Sequence, residues 1–167
     1  MQGLSKNEIK VISWLEFNRK YFFEIKEISH FFRNKAQRYN FIKNLAKKKR
    51  IVKLNRTKYY LVPIKAKSGS WAEHPYLIID EMFNGQNYVI GGWSAANYWH
   101  LTEQVPMVEE VYTTKRRGQT RILTTSIKFT HTTDKKIKEK SAVQKIQEHP
   151  FRVLSKEASR KWLRSRK

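Results

Sequence analysis

Residues 35–62 read KAQRYNFIKNLAKKKRIVKLNRTKYYLV, and the fold turns on how this stretch is divided. At about 100° per residue, a helix begun at Lys35 places Tyr39, Ile42, Leu45 and Ala46 on one face and gathers Gln37, Asn40, Asn44, Lys47 and Lys48 on the opposite one. The first face is expected inside and the second in solvent. The period then changes. Residues 51–54 and 59–62 are short β-favouring runs separated by Asn55, Arg56, Thr57 and Lys58, so a hairpin with a basic tip follows the helix directly. A helix that runs into a cationic hairpin is the closing half of a winged helix-turn-helix. The amides matter because Asn and Gln can pair with adenine N6 and N7 together, whereas lysine offers phosphate only a charge.

Upstream, Ser5-Lys6-Asn7-Glu8 has the spacing of a capping box and predicts a helix over 6–17, with Ile9, Ile12 and Leu15 as its buried side and Trp14 and Phe17 off that line. Residues 21–32 (YFFEIKEISHFF) carry Ile25, Ile28 and Phe32 at intervals of three and four, which predicts a second helix over 23–32. A tight turn at Arg33-Asn34, with Asn34 as N-cap, leads into the third. Three helices and a hairpin complete the winged helix-turn-helix over residues 1–65. His30 has no second ligating side chain near it in sequence and is read as a surface or core-edge residue.

Taken alone, the helix at 35–48 is better read as an amphipathic helix with a solvated charged face; composition shifts the balance. The chain has 35 Lys and Arg against 14 Asp and Glu, a formal charge of +21. Such self-repulsion points to a polyanionic partner, nucleic acid first. The charge is uneven: residues 1–63 carry +12, 64–114 carry −4, 115–134 carry +4 and 135–167 carry +9. DNA contacts are therefore expected at particular elements. With 167 residues, 40% of them apolar, the chain can bury one medium or two small cores. It has no cysteine, which excludes disulfides, thiolate metal sites and cysteine nucleophiles. No apolar run approaches the roughly 20 residues of a membrane span, and MQGLSKNEIK lacks the apolar core of a signal peptide, so a cytoplasmic location is expected.

Downstream, Pro63 closes the hairpin and residues 65–70 (KAKSGS) read as a linker. Residues 75–83 have helical length, 84–87 form a turn and 88–90 a strand. Gly91-Gly92 then precede a helix that Ser94 is expected to cap. Two glycines at a helix start could cradle a phosphate, but without a Walker lysine or GxGxxG a close-packed turn is the better reason for them. Strands are expected over 107–114 and 122–131, with a basic turn at 115–118 between them. The expected fold class is α+β: an N-terminal winged helix-turn-helix (1–65), a small α/β domain of antiparallel character (71–134), and a basic C-terminal tail (135–167) with short helices near 141–148 and 155–163.

For a DNA binder the contacts divide by residue type. Gln37, Arg38, Asn40, Lys43 and Asn44 are expected to read base edges, while Lys35, Lys47, Lys48, Lys53, Asn55, Arg56 and Lys58 hold the backbone or seat the wing. Lys115, Arg116 and Arg117 are a possible second basic contact. No cofactor or metal is expected. Two other functions fit the composition: a metal-dependent DNA-cleaving or DNA-modifying enzyme with Asp80, Glu109 and Glu110 on the ion, and a non-specific architectural DNA binder. The enzyme reading has little behind it in sequence, since the carboxylates are few and the five histidines scattered. His100 beside Trp99 is the most site-like of them.

Two blocks together resemble a known family. One is the hairpin exit Tyr59-Tyr60-Leu61-Val62-Pro63. The other is the tyrosine-led strand and Gly-Gly-Trp-Ser-Ala of residues 88–95, followed by His100-Leu101-Thr102-Glu103-Gln104-Val105-Pro106 and a strand like 108–114. The chain is similar over about residues 5–131 to the AbiEi-like antitoxins, transcriptional regulators of type IV toxin-antitoxin systems. The resemblance implies an autorepressor on the operator of its own operon. It also implies a functional pairing with a nucleotidyltransferase-like toxin that is counteracted without a stable complex.

Overall fold

The computed structural model describes residues 3–64 and 73–166, which form a mixed α+β protein. The chain divides into two compact units, residues 1–72 and 73–167. The expected linker at 65–70 lies outside the described residues. No described helix is long and apolar enough to cross a membrane.

In the first unit, α1 (Lys6–Phe17) starts where expected, and both halves of its capping box form: the Ser5 hydroxyl accepts from the Glu8 amide and the Glu8 carboxylate from the Ser5 amide. Its buried line is Glu8, Val11, Ile12 and Leu15, whereas Ile9 is 46% exposed. Steps of three drift by about 60° each on an α-helix, which carries Ile9 off the stripe.

Residues 21–32 depart further from expectation. Phe22–Glu24 form strand β1 and Ile25–Phe31 a 3-10 helix. Both have local causes: consecutive aromatic residues suit a pleated strand, and Ile25, Ile28 and Phe31 repeat every three residues, the period of the tighter helix. After α2 (Lys35–Lys47) come β2 (Ile51–Lys53) and β3 (Lys58–Leu61). β3 pairs antiparallel with both other strands, in the order β1-β3-β2. Ile12, Leu15, Phe23, Ile28, Leu45 and Leu61 are fully buried between the helices and this sheet. His30 lies at the core edge with its ring against Trp14 and Phe31.

α2 buries Phe41, Ile42 and Leu45, not Tyr39 and Ala46; Tyr39 is 69% exposed. Phe41 packs against Phe32, with ring centroids 4.9 Å apart, and closes the core without a polar group to satisfy. Tyr39 keeps its hydroxyl in water.

The second unit runs α3 (Pro75–Phe83), β4 (Tyr88–Ile90), α4 (Gly92–Tyr98), β5 (Glu109–Thr113), β6 (Gly118–Ile122), β7 (Thr125–His131), α5 (Asp134–Lys140), β8 (Ser141–Ile146), β9 (His149–Leu154) and α6 (Lys156–Arg164). Its sheet has six strands in the order β6-β7-β5-β4-β9-β8. It is mixed rather than antiparallel, because β5 runs parallel to β7 and β4 parallel to β9. On one face α3 stacks Phe83 on Tyr88 and sets it edge-on to Phe129, and packs Tyr76 at a tilt against Phe151. Val89, Tyr112 and Leu154 alternate to the other face, toward α5 and α6.

Residues 135–167 therefore supply two strands of this sheet and flank it with helices; α6 begins at the expected place, but 141–146 is strand. Its side chains alternate, with Val143 and Lys145 outward and Gln144 and Ile146 turned in. Two residues, Gln147 and Glu148, both at positive φ, join β8 to β9. That is the twist a two-residue hairpin needs, reached here without the usual Asn-Gly.

Candidate nucleic-acid interface

The exposed face of α2 is built from its N-cap onward. Asn34 Oδ1 accepts the Gln37 amide at 2.9 Å, and Gln37 Oε1 accepts the Arg33 amide at 3.1 Å. The Gln37 carbonyl thus spends one of its two lone pairs in starting the helix, which ties the side chain to its own backbone and makes it less free than Asn40 or Asn44 to meet a base edge. Arg38 is half-buried. Lys35, Asn40, Lys43, Asn44 and Lys47 are exposed, as is Tyr39, which joins this face unexpectedly.

Lys48 leaves the set of phosphate ligands. Its ammonium lies 2.7 Å from Glu8 Oε2 and donates to the Gly3 carbonyl at 2.9 Å. Burial alone would raise the Glu8 pKa; the hydrogen bonds from Lys48 and Ser5 and the Lys48 charge outweigh it and hold the carboxyl below its ordinary value.

Beside this pair, a groove of about 350 Å³ is lined by Ser5, Asn7 and Glu8 of the α1 start and by Gln37, Asn40 and Asn44 of α2. Asn7 was not identified from the sequence. It sits mid-way through the capping box, where the cap pattern draws attention to its neighbours.

In the hairpin, Asn55 organises the tip: its Oδ1 accepts from the Thr57 and Lys58 amides, each at 2.9 Å. This is an Asx turn, so at least the Asn55 oxygen serves the fold. Lys58 is half-buried, whereas Lys53 and Arg56 are exposed. None of Lys35, Lys43, Lys47, Lys53 and Arg56 forms an ion pair with a described residue. In the second unit, Arg116 lays its guanidinium over the Phe129 ring at 4.1 Å, and Lys115 and Arg117 are exposed.

The carboxylates considered for a metal serve separate contacts. Asp80 accepts the Tyr88 hydroxyl at 2.7 Å, and its other oxygen lies 3.0 Å from His149 Nε2. Glu110 reaches the start of α4, where its Oε2 accepts the Trp93 amide at 3.2 Å. An anionic side chain thus fills the position where a phosphate cradle was considered. A Cβ on Gly91 would strike the Tyr112 ring, and one on Gly92 the Glu110 carboxylate, so close packing accounts for both glycines. Ser94, expected to cap this helix, is buried within it and accepts the Glu110 amide at 3.0 Å. Among the described residues no three His, Asp or Glu side chains converge as a metal site would require. His100 is exposed.

Glu109 has a buried Oε2 with no hydrogen-bond partner. Burial raises its pKa, against a smaller opposing effect of the Ser94 hydroxyl. A carboxyl with a raised pKa loses its contribution to stability as pH climbs through the folded value. Glu109→Gln is therefore expected to stabilise the second unit by about 1 kcal/mol at neutral pH. The advantage should vanish below the ordinary carboxylate range, as thermal melts at pH 7.5 and pH 3.5 will read.

Compared with known proteins, the chain matches no family model, and no curated protein is significantly similar to it.

Proposed function

We propose that the first unit is a winged helix-turn-helix and that the protein is a DNA-binding transcriptional regulator. α2 lies in the major groove, and the β2–β3 tip seats against the backbone or in the minor groove. The observation that carries this reading is the exposed face of α2. Asn40 and Asn44 lie there among Lys35, Lys43 and Lys47, none of them ion-paired with a described residue, and the hairpin that follows presents Lys53 and Arg56 in the same condition. Cations without internal partners are what phosphate contacts require, and amides among them supply base-edge hydrogen bonds. The order α1, β1, 3-10 helix, α2, β2, β3 supports the same reading.

From the resemblance of residues 59–63, 88–95 and 100–106 to AbiEi-like antitoxins, we propose further that the protein is a cytoplasmic autorepressor of its own operon. Its functional counterpart is a nucleotidyltransferase-like toxin with which it forms no stable complex.

Two substitutions separate grip from reading. Asn40→Ala should cost on the order of 1–3 kcal/mol on the cognate duplex and little on random DNA. Arg56→Ala should weaken both alike and reduce the salt dependence by about one unit of slope. Both are measured by fluorescence anisotropy, with the region upstream of the coding sequence as the cognate candidate. Equal loss on both duplexes after Asn40→Ala would remove Asn40 from base reading. Magnesium- or manganese-dependent plasmid cleavage that Glu109→Ala abolishes would replace the regulator with a nuclease.

A further inference from the structure

The second unit contains a cavity of about 380 Å³ between one face of its sheet and helices α5 and α6. Small-molecule sites occupy roughly 300–1,000 Å³ and combine an apolar body with a few convergent polar groups. Val89, Tyr112 and Leu154 face it from the sheet, Ile137 from α5, and Ala158 and Trp162 from α6. Its walls are tied together. The Ser155 amide at the start of α6 donates to the Lys140 carbonyl at the end of α5 over 2.7 Å, and Trp162 is held edge-on against Trp93 with centroids 5.3 Å apart.

The charges around it are unequally committed. Glu157 pairs with Lys161 at 2.9 Å and Glu139 with Lys135 at 3.9 Å, so both carboxylates have cations of their own. Lys136 and Lys140 form no ion pair with a described residue, yet both line the cavity. They stand four residues apart on one helix, a spacing at which like charges repel. An anionic group between them converts that repulsion into two attractions. Neither lysine is needed for the duplex contacts proposed for the first unit.

We propose that this cavity binds a small organic anion, with a flat apolar body against Tyr112 and Trp162 and a single acidic group held by Lys136 and Lys140. The test uses the full chain and naphthalene-2-sulfonate, with naphthalene-2-sulfonamide as the uncharged probe of the same rings. NMR follows the Ile137 and Ala158 methyls and the Trp162 indole. The sulfonate should shift these signals saturably, and the sulfonamide should bind at least about fivefold more weakly. Lys136→Gln with Lys140→Gln should lower sulfonate affinity by about fivefold or more and erase the preference for charge. Lys128→Gln, exposed on β7, should change nothing. Ala158→Trp should block both probes by filling the cavity. Lys136 and Lys140 are exposed at the cavity's rim, so replacing them leaves the core intact and their result stands even if Ala158→Trp fails to fold. Equal affinity of the two probes, the same shifts from inorganic phosphate, or wild-type binding by the double variant would each overturn the proposal.

Discussion

Gly92→Ala should destabilise the second unit by about 4 kcal/mol, a large part of the roughly 5–15 kcal/mol that holds a domain together. Gly92 has φ +55°, a conformation in which any Cβ is strained, and the Cβ would lie 1.3 Å from Glu110 Oε2. The carboxylate must leave, and its departure strands the Trp93 amide that it accepts from. Left-handed strain contributes about 1–2 kcal/mol and an unsatisfied, partly buried amide about 1–3 kcal/mol. For a unit of this size the melting transition should fall by roughly 15 °C or more. Glu110→Ala in the parent separates the two causes, because it strands the Trp93 amide without left-handed strain: it should cost about 1–3 kcal/mol, and Gly92→Ala added to it about 1–2 kcal/mol more. A Gly92→Ala variant melting within about 1 kcal/mol of the parent would mean that Glu110 does not occupy the helix start.

Lys48→Ala is expected to cost the first unit about 3 kcal/mol. Lys48 and Glu8 pair at 2.7 Å with side chains only 18% and 5% exposed. Removing the ammonium leaves a carboxylate in the interior with its Ser5 hydrogen bonds alone, and breaking a buried pair from one side costs about 3–5 kcal/mol; the partial exposure of Lys48 argues for the lower end. The sign of the pH dependence follows from the lowered Glu8 pKa. The stability it contributes is present above the ordinary carboxylate value and is lost as pH falls through the folded one. Parent and Lys48→Ala should therefore converge in strong acid, and Glu8→Gln with Lys48→Met should recover most of the loss at neutral pH. A parallel offset between parent and Lys48→Ala from pH 7 to pH 2 would contradict this.

Where the chain states its structure locally, the sequence was readable. The capping box at Ser5 and Glu8, the Asn34 cap, the apolar helix at 75–83 and the turn at Asn84 each carry their signal within a few residues. Readings failed where neighbours elsewhere in the fold decide. Whether Phe41 or Tyr39 faces inward depends on Phe32, and whether Ser94 caps α4 depends on a carboxylate sixteen residues later. The strand at 141–146 was hidden because its polar and basic residues outweighed the alternation and because Gln147-Glu148 is no hairpin signature.

The candidate interface was legible as a set of exposed amides and cations, since most such residues stay outside. Its internal commitments were not. That Lys48 answers Glu8, that the Gln37 carbonyl serves the helix start and that Asn7 borders the α2 amides are tertiary or capping facts, and they leave Asn40 and Asn44, with Asn7 beside them, as the least committed amides of the proposed interface.

The most direct measurement is the anisotropy of a labelled duplex carrying the sequence upstream of the gene, titrated with the full chain across a series of salt concentrations. Five phosphate contacts, from Lys35, Lys43, Lys47, Lys53 and Arg56, should give a linear plot of log affinity against log salt with a slope of about −4 to −5, and tighter binding than to random duplex. No binding to any duplex in dilute buffer, or an affinity indifferent to salt, would contradict the proposal that this face lies along DNA.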